Sequence, residues 1–262
     1  MTRKFKRLPN FDISLLIKND NYIRPPRESQ RNWLLNQAIN EFMLDLEHYD
    51  DIAKRFVPGD PDVSLDDRTQ SDLKDDEIME DWQVPIMRAM ASKLTQTHGH
   101  VLEIGFGIGT SATFIQEAGV KSHTIVECND SVVERYELWK EKYPGKDIRL
   151  IHGLWQETTD QLEMYDGIFF HTYPLNESEY LENIIKSITY AGHFFPTASA
   201  HLHKGGIFTY LTNEIDSMGR AHQRLLFKYF TSIELEVVKF EIPEDVKDAW
   251  WSNSMVVIKA IK

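Results

Sequence analysis

An α/β protein built on a doubly wound, mostly parallel sheet is predicted by three features of the 262-residue chain. From residue 100 onward, short apolar runs alternate with helical patterns. The runs are almost continuously apolar, as strands covered on both faces must be. The first run ends in a turn with glycine at every second position, Gly105, Gly107 and Gly109.

The elements follow in order. Residues 1–28 carry turn residues (Pro9, Asn10, Pro25, Pro26) and one apolar patch, ISLLI. Residues 29–56 read as one amphipathic helix, because Leu35, Ile39, Phe42, Leu46, Tyr49, Ile52 and Phe56 recur at spacings of three and four. VPGD at 57–60 ends it. An acidic stretch, 60–81, reads as a solvated connector. A helix is expected over 82–94. Strands are expected at 101–106, 123–127, 148–153, 165–173, 205–212, in IELEVVKFEI and in SMVVIKAI, making seven. Helices lie between the first five, over SATFIQEAG, over 130–142 and after Asn176, whose spacing to Glu179 fits a capping box. Another runs through RAHQRLLFKYF. The last two strands adjoin without room for a helix, so one of them should be antiparallel at or near the sheet edge. Residues 1–60 are thus an N-terminal helical extension serving as a lid or a dimer arm. Residues 61–99 form the connector and a pre-core helix, and 100–262 the core.

Bulk properties narrow the partners. Against 29 basic residues stand 41 acidic ones, a net charge of −12. Phosphate-binding faces need clustered Lys and Arg, so no nucleic-acid partner is expected. The single cysteine, Cys128, excludes an internal disulfide and fits the cytoplasm. No run of 18 apolar residues suggests a membrane span. His201 and His203 form H-L-H, but two ligands without a carboxylate or thiol partner rarely make a metal site, and none is expected.

In a doubly wound sheet a ligand sits beyond the carboxyl ends of the strands where their order reverses. Dinucleotide turns read G-x-G-x-x-G; here the third glycine of that pattern falls on Thr110. Glu103 precedes the first glycine by two positions. Glu127 closes the second strand 22 residues after Gly105, where a carboxylate can take both ribose hydroxyls. A ribose acid beside a turn without a pyrophosphate pattern points to S-adenosylmethionine rather than a nicotinamide dinucleotide.

From about Met79 onward the chain resembles guanidinoacetate N-methyltransferase, a class I S-adenosylmethionine-dependent family with a Rossmann-like fold. The matching pieces are MEDWQVPIM, VLEIGFGIG, IQEA, IVECND, GLW, DGIFFHTYPL and KGGIFTY. The resemblance implies that the turn from Gly105 through Phe106, Gly107, Ile108, Gly109 and Thr110 to Ser111 holds the methionine part of the cofactor. It places Glu127 on the ribose, Cys128, Asn129, Leu154 and Trp155 at the adenine, and Met79 and Met87 over the cofactor. Plain core packing competes for Cys128 and Trp155.

The resemblance also implies two carboxylates around a guanidine acceptor, and at those positions this chain carries Gln83 and His171. A guanidinium needs acceptor charge opposite it, so guanidinoacetate is not the expected substrate. His171 is expected to act on the acceptor as base or hydrogen-bond partner, with Gln83, Trp82 and Tyr173 lining the same pocket. The function expected is methylation of a small molecule, at nitrogen, in specialised metabolism. O-methylation of a hydroxyl or carboxylate, and a cofactor-binding protein without catalysis, are the alternatives. A homodimer remains open.

Overall fold

The computed structural model describes residues 72–185, 187–243 and 252–262. The N-terminal helix expected over 29–56, and Trp250 and Trp251 near the C-terminus, lie outside the described residues. Among the described residues the sequence of main elements is α1 (Asp75–Ile78), α2 (Val84–Leu94), β1 (His100–Ile104), α3 (Thr110–Glu117), β2 (Ser122–Glu127) and α4 (Asp130–Lys140). Then come β3 (Ile148–His152), β4 (Tyr165–Phe170), α5 (Glu177–Tyr180), α6 (Phe195–His201), β5 (Leu202–Tyr210), α7 (Arg220–Leu226), β6 (Ser232–Lys239) and β7 (Ser254–Ile261).

Seven strands form one sheet in the order β3-β2-β1-β4-β5-β7-β6. β1 to β5 pair parallel with one another. β7 inserts antiparallel between β5 and β6, next to the edge, as the absence of a connecting helix requires. The order reverses between β1 and β4. There the register sets Ile104 opposite both Val126 and Phe170, so the chain leaves the three strands at one level. Gly105, Glu127 and His171 therefore meet at the same end of the sheet.

Both faces of the central strands are covered, which is why they read as continuous apolar runs. Leu102, Ile104, Ile168, Phe170 and Phe208 join Phe194 and Phe195 in the larger core cluster. On the opposite side of the turn, Phe106, Ala112, Tyr136 and Trp139 form a second cluster. Phe106 meets Tyr136 and Trp139 edge to face, with ring centroids 5.5 and 5.3 Å away. Two strands end earlier than the apolar runs suggest. β1 stops at Ile104 and β4 at Phe170, because the following residues leave the ladder to form the cleft. The expected helix at 82–94 begins as a 3₁₀ turn over Asp81–Gln83, with the α-helix starting at Val84–Pro85. Asn176 caps its helix as its spacing predicts, accepting the Glu179 N–H at 2.9 Å.

Candidate active site

All three turn glycines have positive φ: +88° at Gly105, +58° at Gly107 and +80° at Gly109. Two of them are needed for contacts inside the protein. A Cβ on Gly105 would stand 2.2 Å from the carbonyl oxygen of His171, and one on Gly109 2.8 Å from the Phe106 ring. The turn is thus pressed between the end of β4 and the aromatic cluster. Gly109 faces that cluster rather than the cleft.

Above the turn lies a cleft that opens to solvent. Gly105, Phe106, Gly107, Ile108, Thr110 and Ser111 form its floor, Glu127, Cys128 and Asn129 one wall, and His171 and Tyr173 another. Met79 lines it as well. A smaller adjoining cleft shares Gly105, Glu127, Cys128 and Tyr173 and adds Leu154 and Trp155. The remaining predicted residues lie elsewhere. Met87, fully buried on α2, and Gly109, Trp82 and Gln83 line neither cleft. Trp82 packs on Phe240 and donates to Glu80 at 2.9 Å. Gln83 is 2% exposed and its Oε1 is buried without a hydrogen-bond partner. Trp155 borders the smaller cleft and also packs on Phe194, 4.9 Å between centroids, so core and binding roles coexist. His201 rests its Nδ1 on the Glu163 carbonyl, and no cluster of metal-ligating side chains occurs among the described residues.

Glu127 is fastened by backbone. Its Oε1 accepts the N–H groups of Cys128 and Asn129 at 2.8 and 2.9 Å, and its Oε2 accepts that of Phe106 at 2.8 Å. A carboxylate has about four acceptor positions. One of them, on Oε2, remains open beside the cleft. Glu127 also ties the glycine turn to the start of α4. Asn129 caps that helix through Oδ1, accepting the Val132 N–H at 3.1 Å and the Ser131 hydroxyl at 2.8 Å. Burial, reinforced by the Glu127 charge, pushes the Cys128 thiol up to about 12.

His171 follows β4, its backbone N–H bound to the Ile104 carbonyl at 3.1 Å. Its Nε2 is buried with no hydrogen-bond partner. Burial lowers its pKa to about 4, so the ring is neutral at physiological pH.

The acidic stretch expected to be a solvated connector behaves differently at its described end. Leu73 and Ile78 line the cleft and pack on the Phe106–Trp139 cluster. Arg135 on α4 holds the segment through the Leu73 carbonyl at 2.6 Å and Asp75 at 3.1 Å. Charge around them hides these two apolar residues in the sequence, and no periodicity marks them. Val132, Thr172 and Leu175 also line the cleft without having been singled out.

An acid closing β2, a glycine turn shaped by close packing and a cleft at the point of strand reversal mark the fold of a class I S-adenosylmethionine-dependent methyltransferase domain. The precorrin-6y C5,15-methyltransferase of Geobacter metallireducens has the same fold, with a TM-score of 0.50 and 16% identity over 72% of this chain and 97% of that one. The family model for guanidinoacetate N-methyltransferase matches residues 61–247, and the chain belongs to that family. Curated relatives include protein arginine N-methyltransferase 2 of Candida glabrata, 30% identical over 48% of this chain and 34% of that protein. The protein of the same name from Eremothecium gossypii is 32% identical over 41% of this chain and 28% of its own length. The chain therefore spans about a third of the length of the curated relatives it matches.

Proposed function

We propose that the protein transfers the methyl group of S-adenosylmethionine to a nitrogen of a small, uncharged molecule bound beside His171. The cofactor supplies an activated sulfonium methyl, so the protein's task is chiefly to hold and orient the nucleophile. What supports an uncharged acceptor is the state of His171, a neutral imidazole on the cleft wall with Nε2 enclosed and unpartnered. A ring with a pKa near 4 is too weak a base to keep a proton at neutral pH, so it serves as a hydrogen-bond partner for the acceptor. A cytoplasmic setting fits the unreactive single thiol.

A protein arginine acceptor is the second reading, supported by the names of the curated relatives. Arginine would need a carboxylate opposite its guanidinium. Among the described residues lining the main cleft Glu127 alone is acidic, and backbone N–H groups occupy it. Steady-state kinetics of His171→Ala tests the proposal. Turnover of the acceptor should fall about tenfold to hundredfold, as for the loss of one buried hydrogen bond, with cofactor affinity within about threefold of wild type. Unchanged turnover would remove His171 from the acceptor site, and methylation of an arginine peptide would favour the second reading.

A further inference from the structure

Far from the cleft, the sheet ends in a strand without the features that usually keep an edge single. β6 is last in the strand order, and among the described residues no strand pairs with its outer side. It runs eight residues in unbroken register with β7, from Ser232 opposite Ile261 to Lys239 opposite Ser254. Edge strands are normally short, bulged, interrupted by proline or guarded by charge. The first three devices are missing from Ser232–Lys239. Charge is present but neutralised. Glu234 and Glu236 lie on the face toward α2, where Lys259 binds the first at 3.1 Å and Lys93 of α2 binds the second at 2.6 Å. Side chains alternate along a strand, so Ile233, Leu235 and Val237 share the opposite face. Ile233 packs on the larger core cluster, whereas Leu235 and Val237 are 46% and 42% exposed.

The backbone follows the same alternation. Phe240 donates its N–H to the Asn253 carbonyl at 3.0 Å, in the register that joins β6 to β7. Even-numbered residues therefore turn their amides toward β7, and Ile233, Leu235, Val237 and Lys239 turn theirs to the free edge. A second copy of β6 fits that edge. A twofold axis through Leu235 lays the strand antiparallel to itself, with Leu235 opposite its own symmetry mate and Ile233 opposite the partner's Val237. Apolar side chains then meet apolar ones, and the outward amides bond in pairs. Glu234 stands opposite the partner's Glu236, a like-charged pair that would be unfavourable if bare. Each carboxylate brings its own lysine. The row reads Lys259, Glu234, the partner's Glu236, the partner's Lys93, and has no net charge.

We propose that β6 is the interface of a twofold-symmetric homodimer whose sheet continues from one chain into the other, with Lys93 and Lys259 neutralising the carboxylates that face each other across it. The inference goes beyond the methyl-transfer reading and does not depend on it. Sedimentation velocity of the full chain tests it. At about 100 µM, where a complex with a Kd of about 10 µM or below is mostly assembled, the wild type should sediment with twice the mass of the chain. Leu235→Lys puts a charge at a half-exposed edge position and should sediment as a folded monomer, its fold checked by a thermal melt. Lys259→Ala bares the facing glutamates and should weaken dimerisation about threefold, and adding Glu234→Gln should restore it. Lys259→Ala carries the test if Leu235→Lys does not fold. A wild type that stays monomeric, or a dimer undiminished in whichever of these two variants folds, would overturn the proposal.

Discussion

Glu127→Gln separates the two jobs of one carboxylate. Oε1 takes two backbone N–H groups and Oε2 takes that of Phe106. The glutamine oxygen will keep the two-bond side, which turns its NH₂ toward the Phe106 N–H, donor against donor. The lost bond leaves a buried donor unsatisfied, at about 1–3 kcal/mol of folding stability. For a core of this size that lowers Tm by roughly 2–4 °C per kcal/mol. The ribose hydroxyl expected on Oε2 loses a charge-assisted acceptor worth about 1.5–3 kcal/mol, so Kd for S-adenosylhomocysteine should rise about tenfold to hundredfold. Calorimetry reads the second effect and a thermal melt the first. A Kd within about twofold of wild type, with Tm unchanged, would refute both the ribose role and the tethering of the turn.

Four further outcomes are expected. Gly105→Ala should destabilise the fold by about 3 kcal/mol or more, since a left-handed conformation costs an alanine roughly 1–2 kcal/mol and its Cβ would stand 2.2 Å from the His171 carbonyl; urea unfolding measures this. His171 is held near pKa 4 in the folded chain against about 6.5 unfolded. The unfolded chain therefore binds more protons in that window, and stability should fall as pH drops from about 6.5 to 4 and level off above. Denaturation midpoints at several pH values, compared with His171→Gln, will show whether that slope belongs to His171. Cys128, with its thiol pushed up to about 12, should resist alkylation at pH 8 in the folded protein and react on unfolding, as mass spectrometry would show. His171→Asp, which puts a carboxylate on the cleft wall, should gain turnover of guanidinoacetate that the wild type lacks; no gain would mean that this position does not govern acceptor charge.

Much of this architecture is legible in the sequence because parallel strands covered on both faces leave continuous apolar runs, and because a missing helix between the last two strands forces an antiparallel β7. The cleft floor is legible as well, since glycines at alternate positions and an acid closing β2 carry a local signal. What the turn glycines do is less so. Gly105 and Gly109 answer to the His171 carbonyl and the Phe106 ring, contacts between segments far apart in the chain. Strand ends are blurred because Phe106 and Tyr173 prolong apolar runs for the sake of the cleft. Leu73 and Ile78 are hidden by their acidic neighbours. The lowering of the His171 pKa is a property of burial alone, which no local sequence pattern marks.

The most direct test of an uncharged acceptor beside a neutral imidazole is methyl transfer from S-adenosylmethionine by the full chain to matched sets of cationic guanidines and uncharged amines or amides, read as S-adenosylhomocysteine released. Turnover confined to uncharged molecules, and lowered at least about tenfold by His171→Ala, is the predicted result. Efficient methylation of guanidinoacetate or of an arginine peptide by the wild type would contradict it.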